Sequence, residues 1–390
     1  MSTTINKKWL FIKLAIFYCL LSSAQAVCTF GENTIIDLLL SIIVFMYFSS
    51  NGLFCSSNRK QAATMCMIIA VLWSMHGSML YAYIGQLCLV AIPLMLINLK
   101  EEVQAELLEF LTKALVISLC VSFCAWILHF FSINLPYTES QLETDYSYGF
   151  IVRNYYLFRE AIGLSYDGIA LVPDYFRFNG FFLEPGHTGT IAAFFLFANR
   201  YDFSKWYNKI LVAIIIVTVS AAAYALALIG YLFCVINNQN KVKIIVGGLL
   251  CWLAILYASQ YNGGDNVVNH EVVDKIMNSS RGLENRFTDE VQVAYENLWK
   301  SDDIIFGSTR GANVSHSAGY KVFIIQQGLI GAFLVILSYW LISRIKKSKL
   351  AFLFLVFAIF SFLQRVYFHW DAFIDPFILG TATMYKKIKL

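Results

Sequence analysis

The side chains best suited to chemistry fall in two stretches. The first is Arg177-Phe178-Asn179-Gly180-Phe181-Phe182-Leu183-Glu184-Pro185-Gly186-His187-Thr188-Gly189. It brings a cation, a carboxylate, an imidazole and three glycines to the point where a polar segment enters an apolar one. Arg177 and Glu184 are separated almost wholly by apolar residues, and charges held against lipid are costly and usually functional. A helix opening at Gly186–Gly189 would turn its N-terminal N–H groups toward an anion. The second stretch is Gly307-Ser308-Thr309-Arg310-Gly311-Ala312-Asn313-Val314-Ser315-His316-Ser317-Ala318-Gly319, again a polar segment leading into an apolar run. Each residue also has a plain structural use. Arg177 can snorkel, Pro185 can start a helix, and His316 can be a polar residue at a helix N-terminus.

Arginine adds a third indication. Arg153, Arg159, Arg177, Arg281, Arg286, Arg310 and Arg365 fall in polar segments that contain few lysines, namely Lys275, Lys300 and Lys321. The guanidinium fork suits bidentate phosphate binding, whereas ordinary surface charge is the simpler use of Arg281 and Arg286. The pattern favours a phosphate-bearing ligand. Asp302-Asp303 lacks a third ligand at metal spacing and reads as a turn. The nine cysteines include no CxxC pair, and most lie inside apolar runs as packing residues.

The elements that must position these stretches are apolar helices. Of the 390 residues 58% are hydrophobic and 14% charged, with mean hydropathy +0.63. A soluble domain is roughly half apolar and a quarter charged, so the composition predicts an all-α, polytopic membrane protein forming one integral domain over 1–390. The net charge of +4 is spread over short loops and gives no nucleic-acid footprint. Lys7-Lys8, an apolar run and Ala24-Gln25-Ala26 have the layout of a signal peptide. With further apolar runs behind it, the segment is expected to stay as the first helix.

Runs of about 20 apolar residues and Lys/Arg-marked cytoplasmic loops together predict twelve spans. These are 9–27, 35–54, 62–76, 79–98, 110–131, 187–199, two short spans within 210–236, 242–259, 318–342, 350–363 and 372–385. Segment 210–236 is long for one span and short for two. Positive charge at Lys209 and at Lys241-Lys243 requires two, turning near Ser220–Tyr224. Both termini are then cytoplasmic, and two large net-acidic loops, 132–186 and 260–317, face outward. The second contains an amphipathic helix over 283–300, with Phe287, Val291, Ala294, Tyr295 and Leu298 at helical spacing. Lys13, Asp37 and His129 lie in or beside spans, and no carboxylate relay crosses them.

At the two chemical stretches the sequence resembles the O-antigen polymerase and O-antigen ligase superfamily of bacterial inner-membrane glycosyltransferases. The resemblance is carried by Arg177-x-x-Gly180-x-Phe182-x-Glu184-Pro185-x-x-x-Gly189, by Gly307 through His316, and by Gln327-Gly328-Leu329-Ile330-Gly331. It implies a GT-C-like helical fold in the inner membrane with its active face in the periplasm. It also implies a metal-independent transferase without cofactor, whose donor is an oligosaccharide on undecaprenyl pyrophosphate. A flippase and a chain-length regulator of the same pathway are the implied partners, alongside the bilayer.

On this resemblance Arg177, Arg281, Arg286 and Arg310 would bind the pyrophosphate or glycan. His316 is the first choice of base, Glu184 an alternative base or the group that orients Arg177, and His187 the third choice. The Glu184-Pro185 form of the motif favours the polymerase. A ligase transferring polymer to lipid A–core is the alternative, and a transporter of lipid-linked oligosaccharide the further one. The transporter would show broken helices and charges within the membrane.

Overall fold

The computed structural model describes residues 7–24, 26–29, 34–75, 80–133, 135–142, 150–155, 158–164, 170–171, 177–236, 252–253, 255–264, 266, 269, 273, 289–308, 319–364 and 366–384. Within them the chain is mostly helical. Helices α1 (Lys7–Ser23), α2 (Thr34–Ser50), α3 (Asn58–Ser74), α4 (Leu80–Leu89), α5 (Ala91–Ile97) and α6 (Glu101–Phe130) come first. A small antiparallel sheet follows, in the order β1 (Tyr137–Leu142), β2 (Phe150–Tyr155), β3 (Phe158–Leu164), β4 (Ala170–Leu171). Then come α7 (Pro185–Ala198), α8 (Trp206–Val217), α9 (Ala221–Ile236), α10 (Asp289–Leu298), α11 (Asp303–Phe306), α12 (Tyr320–Arg344), α13 (Lys349–Gln364) and α14 (Asp371–Thr383).

Two helices, over Glu101–His129 and Tyr320–Arg344, are long and apolar enough to cross a membrane. Ile35–Ser50, Trp206–Val217, Ala221–Cys234 and Lys349–Gln364 are shorter apolar helices. At 1.5 Å per residue even the 17-residue helices α1–α3 reach roughly 25 Å, short of a hydrocarbon core of about 30 Å. Much of the outward surface is nonetheless apolar. On α2, Ile35, Leu38, Leu39, Ile42, Phe45 and Met46 are all exposed, and contiguous apolar surface of this kind marks a membrane or partner contact.

Several boundaries differ from the expected spans for identifiable reasons. The fourth span is two helices, α4 and α5. Pro93 has no N–H to donate to the carbonyl of Leu89 and its ring would clash there, so the helix restarts after Val90. The charged turn at Lys100–Glu109 and the fifth span form one continuous helix of 30 residues, α6. Segment 206–236 is two helices as expected, turning at Thr218–Ser220 rather than a few residues later. The loop at 132–186 contains the sheet, which makes the chain mostly rather than wholly α. Of the ninth expected span only 252–253 and 255–259 are among the described residues.

Helices α7 and α14 form the centre. Every residue from His187 to Ala198 and from Asp371 to Ala382 is buried. A helix apolar on all sides belongs inside a bundle, and α7 (PGHTGTIAAFFLFA) is one. Phe194 and Phe197 stack into Phe354 and Phe357 of α13, and Phe194 meets Phe373 of α14 edge-on at 5.2 Å. Burying an aromatic ring of this size contributes about 1.5–3 kcal/mol each.

The bundle has two unlike ends. One carries the sheet and the N-termini of α7 and α14. At the other, buried Lys60 donates to the Leu99 carbonyl at 2.5 Å, Arg59 donates to the Ile345 carbonyl, and Lys346 pairs with Glu101.

Candidate functional site

The Arg177–Gly189 stretch lies at the sheet end and is fixed by backbone bonds to three neighbours and by one bond to its own helix. Phe178 N–H donates to the Val217 carbonyl at 3.3 Å, tying the stretch to the α8–α9 turn. The Gly180 carbonyl accepts from Arg159 of β3 at 2.9 Å, and the Phe181 carbonyl accepts from Val27, just beyond α1, at 2.8 Å. The Thr188 hydroxyl donates to the Asn179 carbonyl, closing the stretch onto its own helix. The Phe178 ring meets Phe123 and Trp126 of α6 edge-on. Main-chain bonding of this kind lets a non-helical segment sit inside an apolar bundle.

Arg177 is half-buried beside the α8–α9 turn. Its Nε donates to the Thr218 carbonyl at 3.2 Å, which sets the plane of the guanidinium. Glu184 occupies the N-cap of α7 in extended conformation, and its carbonyl accepts from the N–H groups of His187 and Thr188. Pro185 is in the first turn, where its missing N–H costs nothing. Gly189 lies where a Cβ would come within 2.5 Å of the Ala223 Cβ and 3.0 Å of the Thr218 hydroxyl. The motif glycine thus lets α7 and α9 approach.

His187 turns inward. It is 1% exposed, and its ring meets Tyr367 at 5.4 Å and Trp370 at 5.3 Å, both edge-on. Tyr367 and Trp370 stack on each other at 4.0 Å. The third-choice base is therefore packed against an aromatic pair in the turn between α13 and α14.

The expected second half of the site is only partly described. His316, Arg281, Arg286 and Arg310 lie outside the described residues, as does the start of the expected amphipathic helix. The rest of that helix is α10, which buries Val291 and Leu298 against Val322 and Ile325 of α12. Lys321 donates to Gln292 at 2.6 Å across this contact.

Helix α12 breaks at Gly328 (φ 63°, ψ −175°), a conformation open in practice only to glycine. Gly307 packs into the break, with the Gly307 and Gly328 backbones in direct contact. The carbonyls nearby are taken up by others. Ser308 N–H donates to Ile325 at 2.7 Å and Trp73 Nε1 to Gln327 at 3.0 Å. Two arginines of the expected Arg-rich face serve the sheet itself, Arg153 on Glu139 at 3.0 Å and Arg159 on Asn154 at 3.0 Å.

The turn at 366–370 connects the two regions. Tyr367 and Trp370 hold His187, while Phe368 meets Phe323 near the start of α12 at 5.8 Å. Burial pushes the His369 imidazole down to about 4, so it is neutral near pH 7. Its Nδ1 is sealed from solvent although the residue as a whole is only partly covered.

Directly below, Asp371 and Asp375 lie one helical turn apart and fully inside the bundle, and Asp371 is within electrostatic range of Asp37 on α2. Asp37 and Asp371 are more than three hundred residues apart along the chain, so no local pattern joins these carboxylates into a cluster. The only local signal was an Asp-x-x-x-Asp spacing inside an apolar run. Among the described residues no group of three or more His, Cys, Asp or Glu side chains is placed to hold a metal ion. Comparison with protein-family models, with curated proteins and with solved structures finds no match to this chain.

Proposed function

We propose that this protein is an O-antigen polymerase, or the polymerase of a related surface polysaccharide. In this reading it lies in the bacterial inner membrane as a multi-pass protein and works on the periplasmic face. It joins oligosaccharide repeats carried on undecaprenyl pyrophosphate. The observation that carries the reading is the Arg177–Gly189 platform: an arginine held by Thr218 at the mouth of a helix whose backbone approach depends on Gly189. The lysine-rich opposite end of the bundle suits a cytoplasmic face, and the apolar outward face of α2 suits lipid.

The acceptor hydroxyl would attack the anomeric carbon of the donor sugar. A new C–O bond forms, the bond from carbon to the phosphate oxygen breaks, and polyprenyl pyrophosphate departs with its electron pair. Arg177, with Arg281, Arg286 and Arg310, would stabilise the charge on that leaving group. The hydroxyl's proton would go to His316 or Glu184.

Deleting the gene and separating lipopolysaccharide on a gel tests this. The expected result is loss of the ladder with a single repeat left on core; bare core with polymer still lipid-linked would mean a ligase. Arg177→Ala and His316→Ala should each abolish the ladder at unchanged protein level, about 100-fold or more in rate. Arg177→Lys should not restore it, since lysine lacks the fork.

A second reading has observations of its own. The break in α12 at Gly328 and the buried aspartates of α14 are features of transporters. A transporter of lipid-linked oligosaccharide would leave bare core and no polymer at all on deletion.

A further inference from the structure

We infer that Asp37, Asp371 and Asp375 form a proton-binding site inside the helix bundle. The inference stands apart from the proposed reaction and holds whether the protein transfers or transports its glycan. The three residues are 3%, 1% and 0% exposed. Asp371 and Asp375 share one face of α14, a turn apart. A small cavity between α1, α2, α4, α5 and α14 is lined by Cys19, Ser23, Asp37, Ser41, Cys88 and Asp371.

The polar atoms around the aspartates call for a hydrogen-bond donor. All four carboxylate oxygens of Asp371 and Asp375 are buried without a partner among the described residues. So is the Ser41 hydroxyl, 4% exposed and lining the same cavity. Ser22 donates to Asp37 at 3.0 Å. Ionised carboxylates are acceptors only, and this pocket is rich in acceptors and poor in donors. A bound proton turns one carboxyl into a donor, so the other carboxyl or Ser41 gains a partner and the like-charge contact is relieved. No basic side chain among the described residues is paired with either aspartate of α14. The carboxyls are also not arranged as a metal-ion group.

Among the described residues the surroundings contain no competing positive charge. The elements packed on α14 are α1, α5, α6, α7, α12 and α13. Cys19 of α1 and Tyr339 of α12 lie within electrostatic range of the aspartates. Cys88 of α4 lines the cavity, His187 of α7 packs on the residue preceding Asp371, and His369 lies in the turn above. Helices α5, α6 and α13 contribute no titratable side chain to the surroundings of either α14 aspartate among the described residues. Tyr339 donates to the Phe368 carbonyl at 2.9 Å and so is engaged elsewhere.

The test uses the full chain in lipid nanodiscs. Infrared spectra at pH 7 should show the carbonyl stretch of a protonated carboxyl. That band should weaken in Asp371→Asn or Asp375→Asn and vanish in the double variant, with folding checked by size exclusion. A spectrum identical in wild type and double variant overturns the proposal. A second arm needs only the wild type. Dicyclohexylcarbodiimide attacks protonated carboxyls, so labelling mapped by mass spectrometry should fall on Asp371 or Asp375. Above the site's midpoint it should decline about tenfold per pH unit. Labelling blocked by sodium chloride but not by potassium chloride at the same ionic strength would make this a sodium site instead; labelling absent from both aspartates at every pH would refute a proton there.

Discussion

Two regions of this molecule look alike in sequence and are built in opposite ways. Arg177–Gly189 and Gly307–Gly331 each place glycines, an arginine and a histidine where a polar segment meets an apolar helix. In the first, the helix runs unbroken from Pro185, and Gly189 is there for a neighbour: it admits α9. In the second, the helix itself breaks, and Gly328 supplies a backbone conformation that Gly307 then fills. The first is tied by main-chain bonds to the α8–α9 turn, to β3 and to the residues after α1, and closes onto its own helix through Thr188. In the second, Ser308 and Trp73 take up carbonyls around the break, and Gln327 donates to the Ser74 carbonyl at 3.0 Å. A straight helix approached closely by a neighbour and a helix broken around a glycine are therefore different solutions drawn from the same residue types.

The largest expected effect separates the two glycines. Gly328→Ala adds a Cβ against the backbone of Gly307 and Ile305 in a glycine-only conformation. It should destabilise by more than about 3 kcal/mol, through strain and overlap together. Gly189→Ala clashes instead with a side chain, Ala223, and should cost about 1–3 kcal/mol. Adding Ala223→Gly should recover much of the second loss and none of the first. Thermal unfolding in detergent, followed by tryptophan fluorescence, measures all four proteins; rescue of Gly328→Ala by Ala223→Gly would erase the distinction.

A smaller effect sharpens the role of the histidine at the first region. His187 is gripped by Tyr367 and Trp370, so His187→Phe should keep the fold within about 1 kcal/mol, since the ring contact is retained. It should also keep the polysaccharide ladder, in contrast to His316→Ala. A lost ladder at normal protein level would return His187 to the reaction.

The smallest effect concerns the turn joining the regions. The folded-state value for His369, about 4, lies below the ordinary 6.5. Between those values the unfolded chain binds more protons, so stability should decline as pH falls through that window, by at most about 1.4 kcal/mol per pH unit. His369→Gln should flatten the change in melting temperature between pH 7 and pH 5. An equal slope in both proteins would place the acid sensitivity elsewhere.

Local chemistry made much of the fold legible. Apolar runs marked most helices, Pro185 marked the start of α7, and the charge of Lys209 and Lys241-Lys243 called for the turn that Thr218–Ser220 makes. Pro93 was equally visible but was outweighed by the length of its apolar run, which hid the break between α4 and α5. The sheet was hidden by composition, because strands alternating Tyr, Arg and Glu look like a polar loop until their register pairs Glu139 with Arg153. Arg177, Glu184 and His187 were all legible as one motif. That His187 faces Tyr367 and Trp370 was not, since nothing local specifies which way a ring on a fully buried helix turns.

What the sequence determined alone is what depends on neighbours along the chain: helix positions, the polar entry at Arg177–Gly189, and the charge asymmetry of the loops. Only the tertiary structure decided which distant groups share a desolvated space. Asp37, Asp371 and Asp375 are ordinary residues in two apolar contexts until α1, α2 and α14 pack. Packing removes water from all three at once, and a carboxyl's chemistry depends on its water and its neighbours.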